Sequence, residues 1–98
     1  MEPGQFILLH LTDPSERLWG RLERLSDSGI MMRGFSIDQI ELFKYQFKED
    51  DRRVFPQSSF YPMRRVLKVD IDEAIGDIPS VIQSIKKITG LDEDTLMA

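Results

Sequence analysis

The stretch from Arg17 to Gly34, RLWGRLERLSDSGIMMRG, constrains the fold more than any other part of the chain. Side chains alternate between the two faces of a strand with a period of two. Leu18, Gly20 and Leu22 therefore share one face, and Trp19, Arg21 and Glu23 share the other. One face is apolar and the other mostly polar. Gly20 interrupts the apolar row, and an isolated Gly in a strand marks a bulge, a bend or the close approach of another backbone. Ser26-Asp27-Ser28-Gly29 is a cluster of turn formers, in which Gly29 can supply a positive φ at little steric cost. Ile30-Met31-Met32 then resumes the apolar run. A bent strand, a short turn and a returning strand are the parts of a small closed or half-closed barrel.

The rest of the chain supplies partners for this hairpin. Phe6-Ile7-Leu8-Leu9-His10-Leu11 is short and almost wholly apolar, which fits a strand covered on both faces. His10 within it is expected to be half-buried with one satisfied hydrogen bond, since no partner for catalysis or metal binding lies nearby in sequence. Ser36 and Gln39 have capping-box spacing, and Phe35 and Ile40 have hydrophobic-staple spacing. They predict a helix over about 37–48, with Ser36→Ala costing about 1 kcal/mol. Asp38 and Glu41 at its start and Lys44 and Lys48 towards its end suit the helix dipole. Ile40, Phe43 and Phe47 form one apolar face, read as core. Lys48 to Ser59 is a loop whose charges cancel. Phe60 to Met63 is a further extended segment, which Pro62 confines to an edge or breaks. Val66 to Ile71 alternates, with Leu67, Val69 and Ile71 inward and Lys68 and Asp70 outward. A C-terminal helix is expected over about 78–89, capped by Asp77, with Ile78, Val81, Ile82, Ile85 and Ile88 as its apolar face and Gly90 ending it.

Composition narrows the function. The chain has 98 residues, 41% hydrophobic and 31% charged, a size and balance that suit one domain, 1–98. Its net charge is −4, which weighs against a general polyanion binder. With no Cys and one His, thiolate chemistry, disulfides, Cys-based metal sites and a poly-His site are excluded. Asp70, Asp72, Glu73 and Asp77 suggest a calcium loop, but Ala74 and Ile75 stand where that pattern needs a ligand and a Gly. No metal or cofactor is expected, and no base, nucleophile and orienting group can be assembled into a catalytic site. The apolar run from Phe6 to Leu9 is too short for a signal peptide core or a membrane span. A cytoplasmic protein away from membranes is the expectation.

The order of strands resembles the Sm-like small β-barrel family, bacterial RNA chaperones included. FILLHL is similar to that family's first strand, RLWGRLERL to its bent second strand and GIMMRGF to its third. SSFYPMRRVLKVDI is similar to the short fourth strand, its turn and the fifth strand. The resemblance implies a mainly β fold: a five-stranded bent SH3-like or Sm-like barrel, with barrel strands over about 5–35 and 59–72. One helix is inserted between the third and fourth strands and another follows at the C-terminus. It also implies RNA binding and ring assembly. Against these, the chain has no Asn for the family's uridine pocket, and the chaperones' Tyr-Lys-His falls on Tyr61-Pro62-Met63. A second resemblance is to PilZ domains, which bind cyclic di-GMP. Arg17 and Arg21 match their Arg-x-x-x-Arg element, and Arg24 to Gly29 matches the later element except at its first position.

The expected function is a non-enzymatic interaction or assembly module, with a protein partner or self-association as a small homo-oligomer, a dimer before a hexamer. The alternative is RNA or nucleotide binding through Arg33, Arg52, Arg53, Tyr61, Arg64 and Arg65. Trp19 and Arg21 are the candidate interface residues, because Trp and Arg are enriched at interface hot spots. Trp19 points away from Leu18 and Leu22, so either the C-terminal helix or another subunit must cover it.

Overall fold

The computed structural model describes residues 1–49 and 53–98. The pattern predicts five strands, and five form: β1 (Phe6–Leu11), β2 (Glu16–Ser26), β3 (Gly29–Ser36), β4 (Gln57–Pro62) and β5 (Val66–Ile71). A 3-10 turn over Ile37–Gln39 leads into α1 (Ile40–Glu49), and α2 (Val81–Thr89) and α3 (Glu93–Leu96) follow β5. The sheet is antiparallel in the order β4-β3-β2-β1-β5.

The sheet is curled but not closed. The outer strands of a flat five-stranded sheet lie about 19 Å apart, four spacings of about 4.8 Å. The chain passes from β4 to β5 through only Met63–Arg65, in a 3-10 turn, and such a turn rises about 2 Å per residue. The two outer strands must therefore come close at that end. They form no ladder with each other among the described residues, so the expected barrel is reached only as a bent, open sheet.

Alternation along the strands builds two cores, one on each face. Inside the curl lie Ile7, Leu9, Leu11, Leu18, Leu22, Ile30 and Met32, joined by Tyr61 of β4 and Val66, Val69 and Ile71 of β5. The helices cover the other face: Phe6, Trp19 and Phe35 pack with Ile40, Phe43, Val54, Ile82, Ile85, Leu96 and Met97. Aromatic rings run through this second core from strand to helix. Phe6 stacks on Trp19 at 5.2 Å, Trp19 meets Phe35 at 5.6 Å, and Phe35 meets Phe43 at 4.7 Å.

Gly20 and Gly34 face each other across β2 and β3. A Cβ on either would overlap a carbonyl oxygen of the opposite strand, that of Arg33 or Trp19. Close backbone approach is thus the reason for Gly20, as the broken apolar row suggested. Gly29 is different from expectation: its φ is not positive. It is required because a Cβ there would overlap the Tyr61 carbonyl oxygen and the Phe60 ring.

Three local expectations fail for identifiable reasons. Ser36 is the last residue of β3 and makes no side-chain cap bond, so the capping box at Ser36 and Gln39 does not form. The capping box is at Ser80 and Gln83 instead, and α2 starts at Val81 rather than Ile78. Asp77 caps nothing, and Ile78 lies outside the helix in an isolated bridge with Ile75. Leu67 is exposed, because the β1–β5 register shifts between His10 and Leu11 and makes Leu67 an extra residue. The shift brings Val66 into the core and leaves Val69 and Ile71 inward as expected. Gly90 ends α2 as predicted, with φ 71°.

Candidate interaction surface

Asp72, just past the end of β5, organises the helical layer. Its Oδ2 accepts the Trp19 Nε1–H at 2.9 Å and the Ile82 N–H at 3.0 Å, and its Oδ1 accepts the Val81 N–H at 2.8 Å. One carboxylate thereby satisfies a buried indole and the first turn of α2 together. Trp19 is completely buried under α2 and the C-terminal residues. This chain's own helices cover it, so Trp19 is not a surface contact.

Arg21 and Arg33 are direct cross-strand neighbours, a placement that is destabilising for like charges unless both guanidinium groups are engaged by acceptors. Both are. The Arg21 guanidinium contacts Asp94 Oδ1 at 2.8 Å. Arg33 donates to the Met97 carbonyl and, at 3.2 Å, to Ser58 Oγ. These two arginines hold α3 against the sheet. Asp92 caps α3 by accepting the Thr95 N–H at 2.8 Å. Hydrogen bonding to Thr95, chiefly, holds its carboxyl below the usual aspartate value; desolvation opposes the shift and Lys86 adds to it.

Arg65 ties the β1–β2 turn to β5 through the Pro14 carbonyl and Glu16, both at 3.0 Å. Arg64 beside it is exposed. His10 is half-buried and shares a 3.0 Å hydrogen bond with Asp70, as expected of it. Asp70 also faces Lys68 at 3.4 Å. Partial desolvation raises the Asp70 carboxyl, but Lys68 and His10 together outweigh it and leave the value lowered.

Among the arginines and tyrosine considered for nucleic acid, Arg53 and Tyr61 line one cleft of about 460 Å³, with Leu18, Phe55, Gln57 and Ser59. Its outer wall is held by Gln46, which is buried in α1. Gln46 accepts the Arg53 and Val54 N–H groups and donates to the Val54 carbonyl at 2.7 Å. Arg33 is engaged at the C-terminal segment and Arg65 at the β1–β2 turn, so these side chains do not converge on one concave site. Arg52 lies outside the described residues.

The least protected border of the sheet is β4. From Val54 to Met63 there is no charged residue. This stretch exposes Phe55 (57%), Phe60 (50%) and Met63 (36%). The other border, β5, carries Lys68, Asp70 and the bulge at Leu67, devices that discourage pairing with another strand. Sequence reasoning placed Pro62 on an edge correctly. It missed Asp72, Gln46 and the Ser80 cap; only the last had a local signal, the Ser-x-x-Gln spacing.

The fold and this border define a small antiparallel five-stranded sheet, backed by helices on one face and curled around a strand-only core on the other. Comparison with protein-family models, with curated proteins and with solved structures gives no match. Among the described residues no helix is long and apolar enough to cross a membrane, and no group of three or more His, Cys, Asp or Glu could hold a metal ion.

Proposed function

We propose that the protein is a non-enzymatic interaction or assembly module, built on an Sm-like curled sheet and working in the cytoplasm through a protein partner or a second copy of itself. The observation that carries this is β4: an outer strand with no charged residue and an exposed Phe60. Edges are normally blunted by charge, proline or bulges, because bare strand borders recruit other strands. Here the prolines stand only at its ends, Pro56 and Pro62. Light scattering over micromolar concentrations tests the self-association form of the proposal, with a small oligomer expected. A chain that stays monomeric and captures no protein partner counts against it.

A second function, RNA or nucleotide binding, is supported by Tyr61 and Arg53 sharing a cleft. An aromatic ring beside a cation suits a base and its phosphate. Titration with a uridine-rich oligonucleotide at two salt concentrations separates the two. Weak or absent binding is expected from the net charge of −4. Sub-micromolar, salt-sensitive binding that is lost in Tyr61→Ala would replace the assembly proposal.

A further inference from the structure

We propose that two copies of this chain pair antiparallel through β4, about a two-fold axis at Ser59; the inference rests on the assembly function above and names its partner and register. The backbone decides which groups are available. The Met63 N–H donates inward to the Ser28 carbonyl. In an antiparallel ladder the inward and outward groups alternate. Tyr61, Ser59 and Gln57 therefore bond to β3, while the backbone groups of Ser58, Phe60 and Pro62 face outward. Pro62 has no N–H, so the outward donors of β4 are those of Ser58 and Phe60.

An axis at Ser59 sets Ser58 opposite Phe60 of the second copy, and Phe60 opposite its Ser58. Each such pair exchanges both of its hydrogen bonds, four in all. The next outward positions place Pro56 opposite Pro62, and neither has a donor. The ladder thus ends at both sides without an unmet donor, and the pair closes rather than growing into a fibre. An axis at Phe60 or Ser58 would also make four hydrogen bonds, but it would leave the carbonyl of Ser58 or Phe60 without a donor within the ladder, whereas an axis at Ser59 leaves unmet only the carbonyls of the prolines at its ends. Two-fold pairing also brings each side chain near its own counterpart, which penalises charged strands. Between Val54 and Met63 there is no charge to repel. Phe60, half-exposed and resting over Gly29, lies within diagonal reach of its counterpart.

The chain contains no Cys, so single cysteines report the register directly. At a non-hydrogen-bonded antiparallel pair the Cα atoms lie about 4.5 Å apart, within disulfide range. Ser58→Cys, Ser59→Cys and Phe60→Cys are each oxidised mildly and run on a non-reducing gel, beside light scattering of the unmodified protein at roughly 100 μM, since a contact this small falls in the micromolar class. The expected result is a doubled mass in solution, with Ser59→Cys cross-linking to twice its mass and the other two staying mainly single. Doubled mass with cross-linking absent, equal at all three sites or greatest at position 58 or 60 overturns this register and leaves the assembly function standing. Monomer throughout, with no cross-link, overturns self-pairing; capture of a different protein would then keep the assembly function alone.

Discussion

Replacing Asp72 with Ala strands three donors at once. The Trp19 indole N–H, 2.9 Å from Oδ2, belongs to a side chain with no exposed surface, so it cannot turn to water. A buried donor left without a partner costs about 1–3 kcal/mol. Val81 and Ile82 open α2, and losing a side-chain acceptor at a helix start costs about 0.5–2 kcal/mol. Ser80 still caps the helix, so the lower half of that range applies. The sum is about 2–4 kcal/mol, against a total of about 5–15 kcal/mol for a domain of ordinary stability. Urea unfolding followed by far-UV circular dichroism measures it. A double-mutant cycle isolates the indole contact. Trp19→Phe keeps a ring in the core but removes the N–H, so Asp72→Ala in that background is expected to cost about 1 kcal/mol less. A loss below about 1 kcal/mol, or equal losses in both backgrounds, refutes the role given to Asp72.

Ser36→Ala, which capping-box spacing would price at about 1 kcal/mol, is expected to shift stability by less than about 0.5 kcal/mol, since Ser36 makes no cap bond. Ser80→Ala should carry the loss of about 1 kcal/mol instead; chemical denaturation of the two variants reverses the assignment if their order is reversed. Asp70 has a lowered carboxyl value, so its stabilising effect is complete above the unfolded value of about 3.9 and drains away as pH falls through the lower folded value. Melting wild type and Asp70→Asn between about pH 2 and 7 should therefore show a difference that is steady at neutral pH and shrinks on acidification; a difference that widens on acidification contradicts it.

Local pattern alone located the strands and the two longer helices, because those depend on short-range periodicity, but it put the start of β4 in a loop and α3 in an acidic tail. The β2–β3 hairpin, β1, β5 and the Ile40-Phe43-Phe47 face of α1 follow from residues a few positions apart, and so does Gly90 as the end of α2. Close approach at Gly20 was legible too, as a gap in an apolar row. Alternation even posed the right question about Trp19, since a large ring opposite Leu18 and Leu22 demands a cover. Tertiary contact decided everything that depends on partners far along the chain. Leu67 turned outward because a bulge forms only when β5 meets β1. Ser36 lost its cap because β3 extends through it to pair with β2 at Leu18. Arg21 and Arg33 were recruited by α3, more than sixty residues away in sequence, rather than left for a ligand. Asp72 gained its role because the pairing of β5 with β1, and of β1 with β2, brings the end of β5 to Trp19. No spacing within a segment encodes such a meeting: the hydrogen bonds of Asp72 join groups 9, 10 and 53 residues apart, and only the folded backbone brings them to one carboxylate.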